Sequence, residues 1–166
     1  MDIAILNYVQ NHCHNKFTDF FFVLLSRLGN GGAIWFAFMF FMASRPRTKR
    51  YAFLLFFSVA LAYLVSQILK PIIGRPRPFV VYPGQRLLIH IPSGYSCPSG
   101  HSSSSFAAAT VICMVNYPVV GVAAFLLAFG IAFSRIFLFV HYPSDTAVGA
   151  ILGVLSAFLI FALYRM

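Results

Sequence analysis

A chain of 166 residues that is 60% hydrophobic and only 9% charged carries more apolar surface than one soluble core can enclose, which excludes an ordinary soluble enzyme. Twelve Lys and Arg against three acids, Asp2, Asp19 and Asp145, give a formal charge of +9. Anionic partners are favoured, and phosphate-bearing lipid fits that balance better than nucleic acid, while three acids are too few for a carboxylate-based two-metal hydrolytic centre.

The first 28 residues mix helically spaced Ile5, Leu6 and Val9 with polar Asp2, Asn7 and Asn11, and Lys16, Asp19 and Arg27 bracket a second short apolar stretch. This pattern predicts two helices lying at the membrane interface, and Asp2 stands where a cleavable leader would carry a cation. Gly29, Asn30, Gly31 and Gly32 form a breaker, after which a short or tilted span is expected at about 30–44. The linker Ser44–Arg50 holds four cations in seven residues, which marks the cytoplasmic side. Residues 51–69 and 146–164 are uncharged runs of 19 residues, close to the ~20 that cross hydrocarbon as a helix. No charged residue occurs from Leu87 to Ser134, and Asn116, Tyr117 and Pro118 interrupt that run as a tight turn would, so two further spans are expected at about 101–116 and 119–138, with the last at 145–164. The expected fold is all-α: one membrane domain over 1–166, a helical bundle of about five transmembrane helices plus N-terminal interfacial helices. Three cysteines imply no disulfide framework. Cys113 reads as a packing residue, and Cys13 and Cys97 both fall on the outer side.

Alternation from the basic linker brings four polar clusters to that outer face. Lys70 ends a span and is followed by Arg75, Arg77 and Pro78, cations suited to phosphate oxygens or, alternatively, to snorkelling at the interface. Ser99 precedes Gly100 and His101 at a helix start, where free N–H groups can cradle an anion or simply be capped. Ser134 and Arg135 close another span, and an arginine that close to hydrocarbon needs a partner. His141 and Asp145 open the last span. Asp145 can accept the Nδ1 proton and leave Nε2 free to attack, although an acid in a first helical turn also complements the helix dipole.

Together these residues supply phosphate-ester or diphosphate cleavage without a metal. His141 is the expected nucleophile, forming a phosphohistidine, Asp145 orients it, and His101 protonates the departing oxygen and later activates water. Lys70, Arg77 and Arg135, with Ser99, Gly100 and Ser134, are expected to hold the phosphate oxygens. No cofactor is called for, and oligomeric state is left open. A phosphotransferase, or an anion or lipid transporter, stands as the alternative, but a carrier wants its polar residues near the midplane. Arg75, Arg86 and His90 share the outer loop; Arg86 and His90 read as exposed loop residues, with contact to a second phosphate or a headgroup as the alternative.

The three spaced motifs, Lys70 with Arg77-Pro78, Pro98-Ser99-Gly100-His101, and Ser134-Arg135 with His141 and Asp145, resemble those of the type 2 phosphatidic acid phosphatases, whose site architecture is shared with vanadium haloperoxidases. The resemblance covers residues 70–145 and the flanking helices. It implies a helical membrane bundle with its site near the outer surface and a metal-independent phosphatase acting on lipid phosphates or diphosphates such as undecaprenyl diphosphate, phosphatidylglycerophosphate or phosphatidic acid.

Overall fold

The computed structural model of the chain describes residues 1–115 and 118–166, and every regular element among them is helical. In chain order these are α1 (Asp2–His12), α2 (Lys16–Gly29), a 3-10 turn (Asn30–Gly32), α3 (Ala33–Ala43), α4 (Lys49–Ile73), the short α5 (Pro78–Val81), α6 (Gly100–Met114), α7 (Pro118–Phe137) and α8 (Pro143–Arg165). The turn expected at Asn116 and Tyr117 lies outside the described residues.

α6 is the centre of the bundle, packed against α4, α7 and α8. Its residues Ser102–Ile112 are all buried, yet four of them are serines. They tolerate burial because each hydroxyl finds a partner: Ser103 and Ser104 donate back to Gly100 O at 3.1 and 2.9 Å, Ser102 donates to Ser99 Oγ, and Ser105 accepts from Trp35 Nε1. Small side chains on α6 let α8 approach closely. On α8, Gly149 and Gly153 form a Gly-x-x-x-Gly ridge, where an added Cβ would lie 2.6 Å from Ser99 O and 2.3 Å from Ser103 O respectively. Close backbone contact of this kind is how helices pack in lipid, where burial of apolar surface gives no drive of its own.

The outward faces are apolar at helical spacing. On α7 the exposed residues Val119, Val122, Leu126, Phe129 and Phe133 form one stripe, and Ile151, Leu155 and Phe158 do so on α8. Such a girdle is stable only against hydrocarbon, and the chain is a multi-pass membrane protein.

The division into spans differs from the sequence expectation in two places. Among the described residues four helical segments are long and apolar enough to cross a membrane: Lys16–Ala43, Lys49–Val81, Val119–Phe137 and Pro143–Arg165. The first unites α2, expected at the interface, with the predicted span at 30–44, because the breaker is a turn of only three residues in which Gly31 (φ 58°) and Gly32 (φ 73°) adopt left-handed geometry. The helix expected as a span at 101–116 is α6, whose 15 residues extend ~22 Å, shorter than the ~30 Å hydrocarbon thickness, and which returns from the site end of the bundle enclosed by its neighbours.

Candidate active site

Lys70 lies in the last turn of α4, roughly 30 Å along that helix from the basic linker at its other end. Gly74 (φ 65°) stops the helix, donating its N–H to Lys70 O at 2.9 Å. The following Arg75-Pro76-Arg77-Pro78 is extended, and Pro78 starts α5. Ser99 caps α6 and also donates its N–H to Asp145 O at 3.1 Å, tying the start of α6 to the start of α8.

Between α7 and α8 the chain makes a Schellman turn. Val140 N–H reaches Arg135 O at 3.2 Å and Phe139 N–H reaches Ile136 O at 3.0 Å. Phe139 sits in the left-handed position (φ 59°) usually given to glycine. Its ring, 1% exposed, packs with Leu6 and Tyr142, and this burial holds a backbone geometry that costs about 1–3 kcal/mol. The turn delivers His141 inward.

These elements enclose a cavity of about 760 Å³ whose lining includes Lys70, Arg77, Gly100, His101, Arg135 and His141. Six of the nine residues singled out from sequence therefore face one space. Asp145, fully buried, stands behind His141, while Ser99 and Ser134 are buried outside the lining. Ser134 Oγ donates to Ile131 O at 2.6 Å within its own helix, and Ser99 Oγ accepts from the Ser102 amide.

The tautomer of His141 follows from its neighbours. Arg77 Nη1 lies 3.3 Å from His141 Nε2, and a guanidinium can only donate, so Nε2 carries the lone pair and Nδ1 the proton. Nδ1 faces Asp145 Oδ2 at 3.6 Å, an ion-pair separation somewhat beyond hydrogen bonding. Burial pushes the His141 pKa down to about 3, with Arg135 and Arg77 adding to the shift and Asp145 opposing it, so the ring is neutral at pH 7. A neutral imidazole whose Nε2 lone pair meets the Arg77 guanidinium in a cationic cavity is a nucleophile suited to phosphorus once phosphate oxygens take over the guanidinium's N–H groups.

Arg77 is held by three carbonyls, donating to Gly94 O at 2.9 Å, Ser93 O at 3.0 Å and Val140 O at 3.0 Å. Arg135 donates from Nη1 to Ser26 Oγ on α2. Fixed guanidinium groups need little reorganisation when negative charge arrives, which is the property that electrostatic catalysis requires. Among the described residues, no three of His, Cys, Asp and Glu converge as metal ligands.

Several participants escaped sequence reasoning. Arg75, expected to bind phosphate or to snorkel at the interface, is half-buried and instead stacks over Tyr142 at 3.9 Å and donates to Asp145 Oδ1 at 2.7 Å, Ser144 Oγ at 2.7 Å and Asp2 Oδ2 at 2.8 Å. Asp2 in turn accepts from the Ser144 backbone and hydroxyl. Asn30 Oδ1 contacts His101 Nε2 at 2.9 Å. His90, exposed as expected, nevertheless lines the cavity, whereas Arg86 does not. One signal was available for Arg75: in a chain with so few acids, each buried carboxylate must find a cation, and Arg75 follows directly on the end of α4.

Known proteins resemble this chain in sequence and in fold. The family described as the PAP2 superfamily matches residues 51–166. The bacitracin transport permease protein BcrC of Bacillus licheniformis is 35% identical over 119 residues, 69% of this chain and 58% of that protein. The undecaprenyl-diphosphatase of Sulfolobus acidocaldarius is 26% identical over 137 residues, 82% of this chain and 66% of that one. The chain thus spans roughly three fifths to two thirds of the length of these curated relatives. The crystal structure of Aquifex aeolicus LpxE superimposes with a TM-score of 0.86 at 26% identity, covering 97% of this chain and 94% of that chain.

Proposed function

The chain belongs to the PAP2 superfamily, and from that premise we propose that it is a membrane lipid phosphatase that hydrolyses lipid phosphates or diphosphates through a phosphohistidine. The observation that carries this reading is the shared cavity: His141, His101, Lys70, Arg77 and Arg135 line one space, with the Asp145 carboxylate behind the His141 ring.

In the first step His141 Nε2 attacks phosphorus as the bond to the leaving oxygen breaks, and His101 passes its proton to that oxygen. The electron pair of the broken bond leaves with the lipid alcohol, or with the lipid monophosphate when the substrate is a diphosphate. Positive charge then grows on the His141 ring, and Asp145 stabilises it at Nδ1. Lys70, Arg77 and Arg135, with the N–H groups at the start of α6, hold the remaining phosphate oxygens, each fixed donor being worth about 10²–10³-fold in rate. In the second step water attacks phosphorus and gives a proton to His101, the P–N bond breaks, and inorganic phosphate leaves with His141 restored.

This division of labour needs no metal, since three cations supply the charge neutralisation. The substrate reading rests on the lipid-facing girdle and on relatives named for undecaprenyl diphosphate and lipid A 4'-phosphate. Undecaprenyl diphosphate and phosphatidylglycerophosphate are the leading candidates, and phosphatidic acid fits the same chemistry. The positive-inside rule applied to the basic linker Arg45–Arg50 supports a cytoplasmic position for the opposite end of the bundle, and with it a cavity that opens on the outer face of the cytoplasmic membrane.

The test is release of inorganic phosphate by the purified protein in detergent from a panel of these lipids. His141→Ala should lower turnover by about 10³-fold or more, with the helical content unchanged. Transport without hydrolysis would overturn the reading, as would full activity in His141→Ala.

A further inference from the structure

The PAP2 match begins at residue 51, yet one wall of the cavity is built earlier in the chain, by the end of α2 and the turn that follows. Ser26 receives the Arg135 guanidinium. Gly29 lies so close to the His101 ring that an added Cβ would stand 2.8 Å from its Cδ2 and 2.7 Å from Ile131 Cγ2. Asn30 then sets its amide oxygen 2.9 Å from His101 Nε2. The two left-handed glycines after Asn30 turn the backbone away, so that the side chain stays over the start of α6 rather than continuing along a helix.

We propose that Asn30 is a positioning residue for His101, holding the proton on Nε2 and aiming it at the leaving oxygen. This deepens the phosphatase reading and rests on His101 being the acid of its first step. The ring is gripped on one edge by the Gly29 backbone and at its proton-bearing nitrogen by the amide. Oδ1 can only accept, so it holds a proton on Nε2 and favours the doubly protonated ring, which becomes neutral when that proton passes to the leaving oxygen. A neutral acceptor suits the place. A carboxylate would repel an anionic substrate and a cation would drive the proton off, whereas an amide directs the N–H without adding charge to a cavity that already holds Lys70, Arg77 and Arg135. Asn30 is itself exposed, between Gly29 and Gly31 of the cavity lining, so the arriving leaving group can share or displace its hydrogen bond.

The test compares two leaving groups by kcat/KM, which reports steps up to departure of the leaving group. Phosphatidic acid expels an alkoxide that must be protonated, and p-nitrophenyl phosphate expels a stable phenolate. Asn30→Ala should lower kcat/KM for phosphatidic acid by about 10–100-fold and for the aryl ester by less than about 3-fold. It should cause no further loss in the His101→Ala background. Asn30→Asp keeps the acceptor and should move the basic limb of the phosphatidic acid profile to higher pH. Equal losses on both substrates, or an undiminished loss in the His101→Ala background, would overturn the role of Asn30. If His101→Ala itself lowers both substrates alike, the acid assignment fails instead, a result distinct from failure at Asn30.

Discussion

Arg75 Nη1 lies 2.7 Å from Asp145 Oδ1, so the carboxylate behind the proposed nucleophile is itself held by a cation that the sequence pattern assigns to phosphate or to the interface. Through its other nitrogen Arg75 reaches Asp2, which joins α1 to the start of α8. Asp145 thus spends Oδ1 on Arg75 and Oδ2 on the Tyr142 N–H at 2.9 Å, and these two bonds fix its plane before substrate arrives.

Removing that grip should therefore weaken catalysis without touching phosphate. Arg75→Ala should lower kcat by about 10-fold or more while leaving KM within a few-fold, since the guanidinium lies behind Asp145 and outside the cavity lining. Asp2→Asn keeps the shape and loses the charge, and its effect should be smaller. The two should be non-additive, because both act through one network. Additive losses, or a pure KM effect, would show that Arg75 meets substrate directly. Steady-state kinetics on the four proteins of the cycle decides it.

The glycines of α8 make a prediction about the fold. A Cβ at Gly153 would meet Ser103 O at 2.3 Å and Ala107 N at 2.8 Å. Both are backbone atoms in the central helix and cannot swing aside. Gly153→Ala should push α8 off α6 at a cost of about 1–3 kcal/mol, seen as a lower thermal midpoint in detergent. Ile151→Ala, on the exposed face of the same helix, should leave the midpoint nearly unchanged. Equal midpoints for both variants would mean that the ridge does not set the packing.

What the sequence made legible was the chemistry whose residue types are irreplaceable. Lys70, Arg77, His101, Arg135 and His141 could be assembled before any coordinates because alternation of spans forces the ends they occupy onto one face. The rest depended on tertiary contact. Nothing in the pattern of residues 16–29 says that Ser26 will meet Arg135, and a three-residue breaker with two left-handed glycines reads equally well as a border between an interfacial helix and a span. α6 was hard to delimit for another reason: between Leu87 and Ser134 there is no charge to mark a boundary, and a helix buried all round has no amphipathic face. The Gly149–Gly153 spacing was visible and signals close helix packing, but it names no partner. Phe139 in a left-handed turn position runs against local preference, so only its buried packing could reveal it.

The buried state of His141 has a signature in pH. Its pKa falls to about 3 in the folded protein, against about 6.5 for a free imidazole. Below pH 6.5 the unfolded chain takes up a proton that the folded chain refuses, so the unfolded state binds more protons between pH 6.5 and about 3. By linkage, stability then falls as pH is lowered through this window, by up to about 1.4 kcal/mol per pH unit from this one group. Function carries the matching sign. The nucleophile stays neutral down to about pH 3, so the acid limb of kcat/KM contributed by His141 lies well below the usual imidazole range. In the protein carrying 15N-labelled histidine, the His141 ring signals should stay those of the neutral Nδ1–H tautomer from pH 8 to pH 5. The thermal midpoint should decline from pH 7 to pH 5 and do so less steeply in His141→Asn. A His141 signal that titrates near pH 6.5 would mean that the ring is hydrated, and the buried neutral nucleophile would be lost with it.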